Sequence, residues 1–184
     1  MTPDQIIVVA ATRAEAACVP DGLRVVVTGI GKTAAAVATT RALVGADTAR
    51  TLVVNIGTAG ALRPGLEGLH LPGVVLNHDM NAEAVRALGY DPEERLAVEG
   101  GDATVLASGD VFVTDPAVRD TLAGRADLVD MEGYAVAYAC RRLGVPVRLV
   151  KHVSDNADES ALDWPDVVAA SAAVLGEWLS RNAA

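Results

Sequence analysis

Two acidic residues stand where an α/β chain holds its ligands. Glu132 opens a segment in which Val136, Ala139, Cys140 and Leu143 recur at helical spacing, marking one apolar stripe. The same spacing places Glu132 on that stripe, one turn before Val136, where a carboxylate is costly unless something pairs with it. It also lies at the helix N-terminus, where the backbone dipole favours negative charge. Asp155 comes at the end of the strand that follows. Strand carboxyl ends and helix N-termini line the crevice of an α/β sheet, so Glu132 and Asp155 are expected in one pocket. Carboxylates with different surroundings can there divide acid and electrostatic work between them. A helix-capping Glu and a turn Asp explain the same spacing, and spacing alone does not separate the two readings. Glu15 carries the same ambiguity. It follows the end of a central strand, and it also completes a capping-box pattern with Thr12.

The elements that must position these residues are legible as runs and stops. Residues 6–11, 23–28, 51–56 and 147–153 read as buried strands, with shorter ones at 73–77 and 103–108 and a brief one at 96–98. A helix is expected after Thr12. Another spans 33–44 and is stopped by Gly45. Asn81 caps a short helix that Gly89 stops. Asp115 and Pro116 open a helix that ends at Gly124. The helix begun at Glu132 is stopped by Gly144, with Pro146 beyond it. Residues 166–181 carry Val167, Val168, Ser171, Val174, Leu175, Trp178 and Leu179 on one face.

Between these elements lie small-residue loops. Gly29-Ile30-Gly31-Lys32 joins a strand to a helix, but it is neither the phosphate-cradling loop nor the dinucleotide fingerprint. Gly57-Thr58-Ala59-Gly60 reads as a loop leaving its strand at Ile56, able to bring backbone N–H groups against a ligand. Phe112 is the only Phe in the chain, and a core position is its default reading. Strands alternating with helices predict a single α/β domain over residues 1–184, its mostly parallel sheet covered on both faces. Glu15, Gly31, Thr58, Phe112, Glu132 and Asp155 then fall on one rim.

Composition removes several classes. The chain has 184 residues, 51% of them hydrophobic and 21% charged, which describes a globular protein. A net charge of −9 argues against a nucleic-acid partner. The basic pair Arg141-Arg142 lies on the outer, solvated face of its helix. The two cysteines, Cys18 and Cys140, have no metal-ligand spacing, so no metal site is expected and reduced thiols in the cytoplasm are. Residues 6–11 are too short a run for a signal peptide or a membrane span.

Taken together, these pieces resemble the nucleoside phosphorylase family, and within it the 5′-methylthioadenosine/S-adenosylhomocysteine nucleosidases. The resemblance rests on Ala11 to Glu15, Gly29 to Lys32, Asn55-Ile56-Gly57-Thr58-Ala59-Gly60, His78-Asp79 with Ala87 to Tyr90, Ser108 to Phe112, Val129 to Glu132, and Ser154 to Asp158. The resemblance implies a three-layer α/β/α sandwich with a central mixed, mostly parallel sheet, nucleoside phosphorylase-like. It implies hydrolysis of the N-ribosidic bond of a purine nucleoside, no cofactor and a homodimer. Asp155 resembles the acid that protonates N7 of the purine. Glu132 resembles the residue that binds the ribose hydroxyls, and Glu15 the one that activates water. Phe112 and Val113 resemble the adenine wall, Met131 the residue under the ribose, and Ser154 the one that orients the acid. Ala11, Ile30, Thr58, Ala59 and Gly60 fall on the matching substrate-binding pieces. Trp164 lies near the family's aromatic lid over the 5′ group.

The implied reaction makes physical sense of those types. Cleavage leaves an oxocarbenium-like sugar and an electron-rich base, which calls for an acid at the base, negative charge near the sugar and a placed nucleophile. The family's phosphorylases bind phosphate through arginines, one of them near the position of Asn55. Asn55 cannot neutralise an oxyanion as a guanidinium does, so water is favoured, with Arg13 the nearby cation that keeps phosphorolysis open. The chain departs from the nucleosidase pattern at Thr58 for Ser, Asp130 for Glu and Gly133-Tyr134 for smaller residues. Residues 81–101 are also shorter than the usual insert. These changes surround the 5′ group, so a futalosine hydrolase or another purine nucleosidase is an alternative. A binding homologue without catalysis is a further one.

Overall fold

The computed structural model describes residues 5–183. Its centre is strand β1 (Gln5–Ala10), which lies between β2 (Arg24–Val27) and β3 (Thr51–Ala61) and runs parallel to both. Ile7 and Val9 face one side of the sheet, where helices α1 (Lys32–Leu43) and α4 (Gly133–Leu143) cover them with Ala35, Leu43, Val136 and Cys140. Val8 and Ala10 face the other side, under Leu175 and Leu179 of α5 (Trp164–Asn182). A strand covered on both faces has no polar side, which is why this run is apolar throughout.

β4 (Leu69–His70), β5 (Pro72–Asn77), β6 (Arg95–Ala97), β7 (Asp102–Ser108), β8 (Leu128–Asp130) and β9 (Val147–Asp155) complete the sheet. The strand order is β2-β1-β3-β8-β7-β5-β6, and β9 pairs with β3 and β4. The β3–β8, β4–β9 and β5–β6 pairs are antiparallel and the others parallel. Two short helices complete the chain, α2 (Ala82–Ala87) after β5 and α3 (Pro116–Ala123), whose Leu122 and Ala123 pack with Leu76, Ala107 and Val129 of β5, β7 and β8. The result is the expected α/β architecture, a mixed and mostly parallel sheet between helices. Among the described residues no helix is long and apolar enough to cross a membrane.

Local signals set several boundaries. Asp115 accepts a hydrogen bond from Ala117 N at 2.8 Å with Pro116 at the first turn of α3, and Asn81 accepts one from Ala84 N at 3.0 Å. Gly144 ends α4 in the left-handed region (φ 67°), and Val145 N donates back to Cys140 O at 3.0 Å.

Other expectations fail for tertiary reasons. Gly57 to Gly60 is strand, not loop: β3 continues through it, pairing Gly57, Thr58 and Ala59 with Lys151, His152 and Val153 before the register shifts at Gly60. Thr58 therefore lies within a strand, not beyond one. No regular helix follows Thr12; residues 11–18 form turns. β8 and β4 are too short to leave a pattern. Leu143 ends its stripe 37% exposed, and Phe112 is 50% exposed and outside the core. Trp178 packs against the core under α5, and α5 begins two residues before the expected start, after a 3₁₀ turn over Glu159–Asp163.

Candidate active site

β3, β9 and the segments after β1, β2, β7 and β8 enclose a cavity of about 430 Å³. Glu15, Glu132 and Asp155 all line it, as do Ala11, Ile30, Thr58, Ala59, Gly60, Phe112, Val113, Met131, Ser154 and Trp164. Of the residues placed on the rim from sequence, only Gly31 lies outside this lining, and the three carboxylates come from three different segments of the chain.

Glu15 is held from two sides. Its Oε2 accepts from Thr12 N at 3.1 Å and Thr12 Oγ1 at 3.0 Å, while Glu15 N donates to Thr12 Oγ1 at 3.1 Å. These are capping-box bonds closed on a turn. Its Oε1 accepts from Thr58 N at 2.9 Å and Thr58 Oγ1 at 3.0 Å. One oxygen thus makes the capping-box bonds, on a turn and not on a helix, while the other bonds Thr58 in the cavity lining. Trp164 Nε1 donates to Thr58 Oγ1 at 2.8 Å, which ties the start of α5 to the same carboxylate.

Glu132 begins α4 but makes no side-chain cap to it. Its Oε1 instead accepts from Gly31 N at 2.7 Å, across the cavity rim. Burial and the neighbouring Asp130 push its carboxyl up to about 7, against the Gly31 N–H and the Lys151 ammonium, which pull it down; Glu15 adds to the rise. A folded-state value raised above the ordinary 4.5 favours the protonated native form. Its contribution to stability is whole below about pH 4.5 and is lost as pH rises through about 7. Glu132→Gln should abolish that loss. Thermal midpoints of wild type and variant, measured from about pH 5 to pH 8, should diverge in the variant's favour by several degrees. Parallel curves would refute the assignment.

Asp155 closes β9. Its Oδ2 accepts from Ser154 Oγ at 2.7 Å and its Oδ1 from Ala157 N at 2.8 Å. Ala157, whose N–H makes the second of these bonds, has φ 50°, a left-handed backbone. Gly60 leaves room for this acid: a Cβ there would sit 2.8 Å from Asp155 Oδ1. A Cβ on Gly57 would likewise sit 3.1 Å from Glu15 Oε1. The glycines of β3 are spaces into which two carboxylates reach.

The sequence reading missed Lys151. It is 1% exposed in the middle of β9, and its Nζ pairs with Asp130 Oδ2 at 2.8 Å. Asp130 also accepts from Ser108 Oγ and, at 2.9 Å, from Gly133 N. A charged residue inside an apolar strand was the signal available. Leu162 and Val111, 66% and 52% exposed, add apolar surface to the cavity mouth beside Ile30. No Lys, Arg or His lines the cavity among the described residues. Asn55 is buried in β3 with Nδ2 donating to Val9 O at 3.1 Å, and Arg13 is exposed outside the lining. Among the described residues no group of three or more His, Cys, Asp or Glu is arranged to hold a metal ion.

Known proteins share this arrangement of elements. A model of the phosphorylase superfamily matches residues 21–181. The aminodeoxyfutalosine nucleosidase of Helicobacter pylori is 31% identical over 132 residues, covering 59% of this chain and 57% of that protein. The 5′-methylthioadenosine/S-adenosylhomocysteine nucleosidase of Shewanella frigidimarina is 31% identical over 183 residues, covering 80% of this chain and 75% of that one. Among solved structures, the H. pylori methylthioadenosine/S-adenosylhomocysteine nucleosidase superposes with a TM-score of 0.84 at 24% identity over 98% of both chains. The Neisseria meningitidis nucleosidase in complex with methylthio-immucillin-A does so with a TM-score of 0.75 at 25% identity, over 94% of this chain and 97% of that one.

Proposed function

The chain belongs to the phosphorylase superfamily and, within it, to the methylthioadenosine/S-adenosylhomocysteine and futalosine nucleosidase family, and from that membership we propose that it hydrolyses the N-ribosidic bond of a purine nucleoside of the 5′-methylthioadenosine type. The observation that carries the proposal is the meeting of Glu15, Glu132 and Asp155 around one cavity.

Each carboxylate has surroundings suited to a separate task. Asp155 delivers a proton to N7 of the base as the glycosidic bond breaks, with Ser154 and the Ala157 N–H fixing its plane. Glu132 in its ionised form takes the ribose hydroxyls and faces the charge that develops on the sugar. Glu15 holds the attacking water. Two of its four donors are hydroxyls, Thr12 Oγ1 and Thr58 Oγ1, which can rotate aside for a water while the two backbone N–H bonds persist. Phe112 stacks on the base, Val113 contacts it through its backbone, and Met131 packs beneath the ribose. The apolar mouth at Ile30, Val111 and Leu162 suits an uncharged 5′ substituent.

Water as the nucleophile is supported by a cavity lining without a cation to neutralise phosphate. Free base should be released from methylthioadenosine at the same rate with and without inorganic phosphate. Strict dependence on phosphate would reject hydrolysis, and silence toward every purine nucleoside in a panel would reject the enzyme. The proposal includes a homodimer. Leu88 and Tyr90, 75% and 71% exposed, are side chains that such an interface would cover, and a monomer in sedimentation equilibrium would exclude it.

A further inference from the structure

We propose that Lys32, Asp79 and Asp110 form a clamp between three loops that positions the Gly31 N–H on Glu132 and holds the loop bearing Phe112, making all three positioning residues of the cavity. The inference rests on the reading of that cavity as a nucleosidase site.

The clamp is a closed ring. Lys32 Nζ donates to Asn77 Oδ1 at 2.6 Å and to Asp79 Oδ1. Asp79 Oδ2 accepts from Asp110 N at 2.8 Å, and Asp110 Oδ1 accepts from Lys32 N at 2.7 Å. Its members follow β2, β5 and β7, so the ring ties together the exits of three strands. An isolated ion pair this close to solvent contributes little. Here two of the bonds go to backbone N–H groups, so the ring fixes the course of the chain as well as the charges.

Gly31 is where the ring meets the cavity. It begins α1 and has no side chain with which to cap it, so Asp110 supplies the acceptor from another loop. Gly31 has φ +94°, and a Cβ there would lie 3.0 Å from Asp110 Oδ1, so both backbone and approach require glycine. One residue from the capped Lys32 N–H, the Gly31 N–H reaches Glu132 Oε1. On the far side of the ring, Gly109 packs so closely on His78 that a Cβ would meet Nε2 at 2.2 Å. That contact fixes the start of the segment carrying Val111 and Phe112.

Glu132 reports on the clamp. The groups that bear on it are Asp130, the Gly31 N–H, the Lys151 ammonium and Glu15. Only the Gly31 N–H is held by the ring. That bond favours ionised Glu132, so loosening it raises the pH at which Glu132 ionises.

The test follows Glu132 by carboxyl NMR titration in the ligand-free protein, alongside the pH dependence of kcat/KM for base release. Asp110→Ala should move the Glu132 midpoint up by about one unit and carry the acidic limb of kcat/KM with it. Asp79→Ala should act in the same direction. Asp110→Asn keeps an acceptor oxygen and should stay near wild type. A folded Asp110→Ala protein in which Glu132 titrates as in wild type overturns the proposal, even if it melts earlier. If Asp110→Ala does not fold, Asp79→Ala and Lys32→Met decide by the same midpoint. A wild-type protein that releases no base would remove the nucleosidase reading, while the titration still decides the clamp.

Discussion

Asp155→Asn is expected to slow base release by about 10²–10⁴-fold in a protein that still folds. The substitution keeps the size and leaves an amide oxygen to accept the Ala157 N–H, now made at 2.8 Å. The amide NH2 then faces Ser154, whose hydroxyl can accept in place of donating. Packing against Gly60 is unchanged because no atom is added. What disappears is the carboxyl group that the proposed mechanism uses to protonate the departing base. The loss should fall on kcat far more than on KM, since the proton moves in the transition state and not on binding. Free-base assays with thermal unfolding of both proteins give the answer. Turnover within a fewfold of wild type in a folded variant would remove Asp155 from the mechanism.

The same residue shows what sequence can and cannot reveal. Asp155 was legible because it ends an apolar run, and Glu132 because a carboxylate interrupts an apolar stripe. Both signals are local and rest on the cost of burying charge. Glu15 was legible only as an ambiguity: one of its oxygens makes the capping-box bonds and the other bonds Thr58. Gly57 to Gly60 was misread because glycine is poor in strands and common in loops. The reason for glycine here lies elsewhere in the chain, in carboxylates that reach β3 from the turn after β1 and from the end of β9. No window of β3 contains that information. For Phe112 the habits of its residue type pointed to the core while the resemblance pointed to the pocket wall, and it lines the cavity half exposed. The clamp residues lay in segments noted for their resemblance, His78-Asp79, Gly31-Lys32 and Gly109-Asp110, but only the fold joins them into a ring.

Lys151→Met should be the most damaging single change to stability, about 3–5 kcal/mol. Lys151 and Asp130 side chains are 2% and 1% exposed, so each is tolerable only through the other. Burial alone would pull the lysine below its ordinary 10.5, but Asp130 and, less strongly, Glu132 and Glu15 outweigh it and raise the value. A raised lysine stabilises in full below 10.5 and loses that contribution only as pH rises through the folded value, so measurement at neutral pH sees all of it. Methionine fills much of the same volume but leaves Asp130 buried beside Glu132 with no counter-ion. Asp130→Asn removes the orphaned charge and keeps one amide oxygen to accept from Gly133 N, while its NH2 faces Ser108 Oγ, which can accept in place of donating, so the double variant should recover most of the loss. Denaturant unfolding of the wild type, both single variants and the double variant measures this coupling. A lone Lys151→Met that costs under about 1 kcal/mol, or a double variant no better than that single, would show that the pair does not hold the floor of the cavity. The coupling also reaches the chemistry, because Lys151 is one of two groups that favour ionised Glu132. In whatever fraction of Lys151→Met folds, the acidic limb of base release should move to higher pH, while Asp130→Asn, which removes a repelling neighbour, should move it to lower pH.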